Sequence, residues 1–144
     1  IIHQTGPHEV PVEVEHGYFA RRFFSDELPD ILAASDVIVS RAGATSLWEY
    51  SMLAKPVILV PLAHSGSRGD QVENAAYLEN RGAAEVFLCS DDPVEEDSLA
   101  LCRRIEELVA DEKRRETLSR NIRGLGGGSA AMDTAGQMIQ YMGG

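Results

Sequence analysis

The sequence predicts an α/β fold, a Rossmann-like parallel sheet with helices on both faces. Three observations support this prediction. From residue 18 onward, short β-rich runs alternate with helical runs, which is typical of a parallel sheet covered by helices. The run Val37-Ile38-Val39 is nearly continuously apolar, and Gly43 then opens a helix. The length of 144 residues suits about one domain and is too short for two full nucleotide-binding lobes.

The individual elements follow from local patterns and their end signals. In order, we predict a strand at 18–24, a helix at 26–34, a strand at 36–40, a helix at 43–53, a strand at 57–60, a helix at 70–80 and a strand at 84–88. Ser25 or Asp26 is the expected N-cap of the first helix, with Pro29 in its first turn. Pro56 separates the second helix from the following strand, and Gly82 ends the third helix.

The C-terminal third is predicted to be helical and highly charged. Residues 91–93 are expected to cap an amphipathic helix that ends near residue 110, and the charged stretch up to residue 123 is expected to be a solvated face. The low-complexity run 124–129 predicts a hinge before a last short helix at 130–141. We therefore expect one lobe from residues 1–123, and in residues 124–144 a glycine-rich hinge and a C-terminal helix that packs back on the fold.

Two further segments are expected to lack regular helix. Residues 63–69 hold two glycines and two serines and predict a loop. In residues 7–15, Val10, Val12 and Val14 alternate with polar residues but Pro11 stands among them, which predicts a loop or an edge strand.

Composition excludes several classes of protein. The formal charge of −10 at pH 7 argues against general binding of nucleic acid, so any phosphate must be bound locally. Cys89 and Cys102 are too few for a disulfide framework, so a reducing cytosol is expected. The longest apolar stretch, residues 57–63, is too short to cross a bilayer. The start at Ile1, without Met, suggests a piece of a longer protein.

The loop of residues 40–46 is the first candidate site, because ligands of open α/β sheets bind at the carboxyl ends of strands. Gly43 lets the backbone approach a ligand, and the N–H groups of Ala44, Thr45 and Ser46 lie at the positive end of a helix, which favours an anion. Glu49, one turn further on, could accept hydrogen bonds from both hydroxyls of a ribose. The residues alone leave open a simple tight turn and a solvated carboxylate.

Two other loops carry suitable residues. Asp70 and Gln71 offer acceptors and donors for sugar hydroxyls, although they could equally be an N-cap and a surface residue. Phe24, with the free backbone of Ser25 beside it, could seat a planar base, and the alternative is that Phe24 belongs to the core.

No metal site or catalytic residue can be named from the sequence. The four histidines lack the spacing of metal ligands, and no cysteine pair lies near them. There is no G-x-S-x-G motif, and no nucleophile and base can be singled out. We therefore expect no metal and no cofactor in this domain.

The three loops occur in an order that resembles a known family. Residues 24–45, FSDELPDILAASDVIVSRAGAT, are similar to the C-terminal half of the MurG family, bacterial N-acetylglucosaminyltransferases that complete the lipid-linked precursor of peptidoglycan. The other similar motifs are His3-Gln4-Thr5-Gly6, Lys55-Pro56 through Pro61, Gly69-Asp70-Gln71 with Asn74-Ala75, and Gly82-Ala83-Ala84. The resemblance runs from His3 to about Leu88.

The resemblance implies the C-terminal lobe of a two-lobed (GT-B type) inverting glycosyltransferase that binds UDP-N-acetylglucosamine. The implied contacts are uracil at Phe24 and Ser25, diphosphate at Gly43, Ala44, Thr45 and Ser46, ribose at Glu49, and N-acetylglucosamine at Asp70 and Gln71. It also implies a cytoplasmic enzyme, peripheral on the inner face of the cell membrane, whose other lobe contacts the lipid-linked acceptor and the membrane. This chain alone would then be inactive.

The chain departs from the family pattern near its start. Residues 6–17 are short for the usual intervening helix, and the first strand of the lobe would lie upstream of Ile1. Two alternatives remain open at this point. One is another UDP-sugar enzyme of the same fold, either an epimerase or a transferase with a different acceptor. The other is a non-catalytic nucleotide-sugar-binding module that needs a partner chain.

Overall fold

The computed structural model describes residues 1–7, 17–62, 70–90 and 95–126. They divide into two compact units, one up to Ser35 and one from Asp36 onward. Each unit contains a parallel sheet and at least one helix, which confirms the predicted α/β class. The predictions for residues 8–15, 63–69, 91–93 and 130–141 lie outside the described residues.

The described residues of the first unit form two strands and one helix. Strand β1 (Ile2–Gln4) pairs in parallel with β2 (Phe19–Arg21), with Ile2 opposite Phe19. Helix α1 spans Leu28–Ala34 and holds a proline in its first turn, as predicted. The predicted cap was wrong: the N-cap is Glu27, which has a helical backbone and makes no side-chain cap hydrogen bond. The carbonyl of Ser25 accepts the N–H of Leu28, so the chain is already turning before the helix begins.

The second unit is built on a three-stranded parallel sheet. Its strands are β3 (Ile38–Ser40), β4 (Val57–Leu59) and β5 (Glu85–Val86), in the order β3-β4-β5. Strand β4 pairs on both sides, and Val57, Ile58 and Leu59 are all fully buried. Burial of each such side chain contributes about 1.5 to 3 kcal/mol, so this short apolar run is the centre of the core.

Four helices accompany this sheet: α2 (Ala44–Leu53), α3 (Asp70–Glu79), α4 (Glu95–Ala110) and α5 (Glu112–Gly126). Ala54 is the C-cap of helix α2, and its backbone is left-handed with φ 51°. Gly82 (φ 60°) follows α3, and the N–H of Ala83 bonds back to the carbonyl of Leu78 across 2.9 Å, as expected of a glycine-terminated helix.

The charged C-terminal stretch is more than the solvated face that its composition predicted. It forms α5, in which Leu118 and Ile122 are buried and which packs on both α2 and α4. The predicted hinge at residue 124 was placed too early, because α5 continues through Gly126. The remaining residues of that hinge lie outside the part of the chain that the structure describes.

A buried carboxylate joins the last strand to the last two helices. Glu85 of β5 is only 9% exposed, and its two oxygens lie 3.3 Å from Nη1 of Arg104 in α4 and 2.5 Å from Nε of Arg114 in α5. A buried charge needs such partners to offset the loss of water. This cluster therefore holds α4 and α5 against the edge of the sheet.

Candidate functional site

The loop between β3 and α2 presents an uncapped helix N-terminus. Gly43 is the N-cap, with an extended backbone (φ −72°, ψ 135°), and it provides no side-chain cap hydrogen bond. The first N–H groups of a helix have no partner within the helix itself. A Cβ built on Gly43 would meet nothing within 4 Å, so the backbone is open on that side. These features suit an anion bound by backbone N–H groups.

The side chains that follow Gly43 lie at the same end of α2. Ala44 and Thr45 are exposed and Ser46 is half-buried. Glu49 is exposed and lies four residues after Thr45, so the two side chains share one face of the helix. The carboxylate of Glu49 and the N-terminus of α2 are therefore about one helical turn apart.

Strand β4 and helix α3 hold the loop in place. The carbonyl of Ser40 accepts the N–H of Val60 at 2.8 Å, and Nη1 of Arg41 donates to the carbonyl of Val60 at 2.9 Å. Nδ2 of Asn74 donates to the carbonyl of Ala42, a fully buried residue, at 3.0 Å. The approach to Gly43 is thus fixed from two sides, which reduces the reorganisation required when a ligand binds.

Asp70 and Gln71 lie at the start of α3 in the same unit as the loop. Asp70 is exposed, whereas Gln71 is half-buried and its Oε1 accepts the N–H of Leu62 at 3.1 Å. Gln71 is therefore not simply a surface residue. Its Oε1 holds the segment that follows β4, and its Nε2 donors and the second lone pair of Oε1 remain for a sugar hydroxyl.

Phe24 and Ser25 belong to the first unit. Phe24 is 9% exposed, its N–H donates to Oε1 of Gln4 at 2.9 Å, and the guanidinium of Arg21 lies 5.5 Å from its ring centroid. Such a cation over the ring face is an attractive contact. Ser25 is exposed. The phenyl ring is therefore buried, in agreement with the alternative that Phe24 belongs to the core. The binding of a planar base beside this ring stays a prediction.

A carboxylate next to Ser25 is held in its charged form. The pKa of Glu27 is lowered from its ordinary 4.5, first by hydrogen bonds from backbone N–H groups of Glu27 and Ser25, and then by the charge of Arg21 at 3.0 Å. The contacts of this carboxylate come from the end of β2 and from the turn that leads into α1.

Three residues that shape the site were not predicted from the sequence. Arg41 and Tyr50 were given no role, and Asn74 was only part of a motif. Each acts by a contact with a residue distant in the chain, from ten to 32 positions away. No periodic pattern signals such contacts.

The described residues contain neither a metal cluster nor a membrane span. No group of three or more His, Cys, Asp or Glu side chains in the described part is placed to hold a metal ion. None of the described helices combines the length and apolar character needed to cross a membrane. The expectation that the site uses no metal stays a prediction.

Comparison with known proteins gives the family. The model of the glycosyltransferase family 28 C-terminal domain matches residues 1–132, which is most of the chain. This chain belongs to that family. The match includes the residues of all three candidate loops.

Curated relatives are similar in sequence over most of this chain. A Treponema pallidum (strain Nichols) protein is 40% identical over 145 residues, 96% of this chain and 35% of that protein. A Bacillus cereus (strain ATCC 14579) protein is 34% identical over 126 residues, 86% of this chain and 35% of that protein. Both are named UDP-N-acetylglucosamine--N-acetylmuramyl-(pentapeptide) pyrophosphoryl-undecaprenol N-acetylglucosamine transferase, the second with the number 2 at the end of its name. The chain spans about a third of the length of these relatives.

Solved structures show the same fold. Acinetobacter baumannii MurG aligns with a TM-score of 0.63 at 19% identity, over 85% of this chain and 35% of that chain. A glycotransferase of kitacinnamycin aligns with a TM-score of 0.62 at 24% identity, over 94% of this chain and 34% of that chain. With the family match, these confirm the resemblance to MurG and the predicted fold, the C-terminal lobe of a GT-B glycosyltransferase. The ligand contacts of the individual residues stay predictions.

Proposed function

We propose that the family 28 domain is the donor-binding half of an inverting N-acetylglucosaminyltransferase. The protein that contains it would transfer N-acetylglucosamine from UDP-N-acetylglucosamine to the lipid-linked muramoyl-peptide precursor of peptidoglycan. The observation that carries the proposal is the open N-terminus of α2 at Gly43, where no side chain of the N-cap residue caps the helix. Asn74 holds the preceding residue, Ala42, and belongs to the helix that begins with Asp70 and Gln71. The names of the curated relatives support the choice of donor and acceptor.

Each part of the donor has a candidate partner. The diphosphate would accept hydrogen bonds from backbone N–H groups at Gly43, Ala44, Thr45 and Ser46. Glu49 would accept hydrogen bonds from both ribose hydroxyls. Asp70 and Gln71 would form hydrogen bonds with the hydroxyls of the N-acetylglucosamine. Phe24 and the backbone of Ser25 would contact the uracil. A net charge of −10 does not oppose this site, because backbone dipoles rather than lysines attract the phosphates.

The proposed contribution to catalysis is electrostatic. In an inverting transfer, the acceptor hydroxyl attacks the anomeric carbon from the side opposite the diphosphate, and the bond to the diphosphate breaks as its oxygens gain negative charge. N–H groups fixed at the start of α2 stabilise that growing charge without having to reorganise. This is why we expect no divalent metal at this site. The base that removes the acceptor proton would lie in the other lobe.

The proposal includes the acceptor and the location of the enzyme. The second lobe would bind the lipid-linked acceptor at the inner face of the cell membrane, and the whole protein would be cytoplasmic and peripheral. No nucleic acid is expected as a partner, given the acidic composition.

A transfer assay on the full-length protein tests the function. Labelled UDP-N-acetylglucosamine is incubated with the lipid-linked muramoyl-pentapeptide, with and without EDTA, and the lipid products are analysed. We expect a β-linked disaccharide-lipid and free UDP in equal amounts, in both conditions. Epimerised UDP-sugar without acceptor, transfer only to another acceptor, or binding without turnover would each contradict the proposal and favour one of the alternatives.

A further inference from the structure

A partly buried hydrogen bond links α2 to the strand that precedes it. Tyr50 is 5% exposed, and its hydroxyl donates to Oγ of Ser40 at 2.8 Å. Ser40 is the last residue of β3, and its carbonyl is itself held by the N–H of Val60. The phenol thus reaches a strand end that is already fixed in the sheet.

The position of this bond matters for the proposed donor site. Only Arg41 and Ala42 separate Ser40 from Gly43, and Tyr50 directly follows Glu49 in α2. A helix moves as a nearly rigid rod, so a rotation that pulled Tyr50 away from Ser40 would turn Glu49 and the N-terminal N–H groups by the same angle. The Tyr50–Ser40 bond therefore restrains the angle at which both groups are presented, in addition to the packing of α2 on α5.

The chemical identity of the residue supports a positioning role. A phenylalanine would fill the same space without a polar atom, whereas a buried hydroxyl is unfavourable unless it is hydrogen-bonded. A satisfied polar pair in a buried setting selects one arrangement over others of similar packing. Packing alone would not require the hydroxyl.

We propose that Tyr50 is a positioning residue for the nucleotide, acting through Ser40 to fix the rotation of α2. Glu49 and the uncapped N-terminus then face the same ligand, the ribose and diphosphate of a nucleoside diphosphate. This inference rests on the proposed function, since it assumes that a UDP-sugar binds here.

The test compares five variants of the full-length protein: Tyr50→Phe, Ser40→Ala, the double variant, Ser40→Thr, and Tyr77→Phe as a control. Tyr77 is a half-exposed tyrosine of α3 whose ring is covered by Arg81. Tyr77→Phe therefore removes the same phenol hydroxyl as Tyr50→Phe does, but at a position outside the proposed site. UDP affinity is measured by calorimetry, and KM and kcat by the transfer assay, at a temperature where every variant is folded.

We expect Tyr50→Phe and Ser40→Ala each to weaken UDP binding by about five- to tenfold, the range of one lost hydrogen bond. KM for the donor should rise with the loss of affinity. The double variant should be no weaker than either single variant, because both remove the same bond. Tyr77→Phe should bind as the wild type does, and Ser40→Thr, which keeps the hydroxyl, should restore most of the affinity.

Two results would overturn the positioning role: UDP affinity in Tyr50→Phe equal to that of the wild type, or additive losses in the double variant. A purely structural bond would lower the melting temperature and leave the affinity of the folded protein unchanged. A wild-type protein that fails to bind UDP would instead contradict the proposed function, so the two failures are distinguishable.

Discussion

The side-chain amide of Asn74 donates a hydrogen bond to the carbonyl of Ala42 across 3.0 Å, joining α3 to the loop that leads into α2. Ala42 has no exposed surface, so its carbonyl cannot turn to water instead. The bond connects the helix that carries Asp70 and Gln71 to the helix start at Gly43. In the proposed site, these are the sugar end and the phosphate end of one ligand.

Replacing Asn74 should therefore lower the stability of the fold. We expect Asn74→Ala to lower the free energy of unfolding by about 1 to 3 kcal/mol, because the buried carbonyl of Ala42 loses its partner. Urea denaturation measures this, and Asn80→Ala, at an exposed position just after the same helix, is the control. Equal unfolding midpoints for Asn74→Ala and the wild type would show that the bond contributes nothing.

Glu49 is predicted to be the ribose-binding residue. Glu49→Ala should weaken UDP binding by about 1 to 3 kcal/mol, the cost of an unpaired polar group in the complex. Calorimetry on the full-length protein measures it, with Glu79→Ala, an exposed acid at the far end of α3, as the control. The difference between Glu49→Ala and wild type should shrink with 2′-deoxy-UDP, which lacks one of the hydroxyls. Unchanged affinity for UDP would refute the ribose assignment.

The carboxylate of Glu85 should be important for stability rather than for binding. Glu85→Ala removes the shared partner of Arg104 and Arg114, and because water can solvate both guanidinium groups once it is gone, we expect a loss of about 1 kcal/mol. The effect should stay below that of a fully buried pair because the two arginine side chains are 40% and 37% exposed. Thermal and urea unfolding measure it against Glu106→Ala, an exposed acid of α4. A variant as stable as this control would contradict the structural role.

Asp97 provides a test of pH dependence. Hydrogen bonds from the hydroxyl and the backbone N–H of Ser90 lower the pKa of Asp97 below its ordinary 3.8. A carboxyl whose pKa is lower in the folded state stabilises the fold above its unfolded pKa, and this contribution is lost as the pH falls through the folded pKa. NMR titration should find Asp97 titrating below 3.8, and Ser90→Ala should move its pKa upward. A normal pKa in the wild type would contradict the contact.

Much of the core could be predicted from the sequence because its signals are local. Strand β4 is an apolar run that directly follows Pro56, and the start of α2 and the end of α3 are marked by Gly43 and Gly82. Pattern and backbone requirement agree at these positions, so each was placed within a residue or two.

The rest depended on contacts that have no local signal. Helix α5 was predicted as a charged surface because its buried residues, Leu118 and Ile122, stand among many charges. The N-cap of α1 was wrong because the turn at Ser25 begins before the helix, which leaves Glu27 in the capping position with a helical backbone. Within the candidate site, the residue types were apparent from the loops, but the bond between Asn74 and Ala42 required the fold.

The most direct test of the central claim is a crystal structure of the full-length protein with UDP-N-acetylglucosamine. We predict diphosphate oxygens within hydrogen-bonding distance of the N–H groups at the start of α2, with no metal between them, and ribose hydroxyls on the carboxylate of Glu49. A diphosphate bound away from Gly43, or held there through a metal ion, would contradict the proposed donor site.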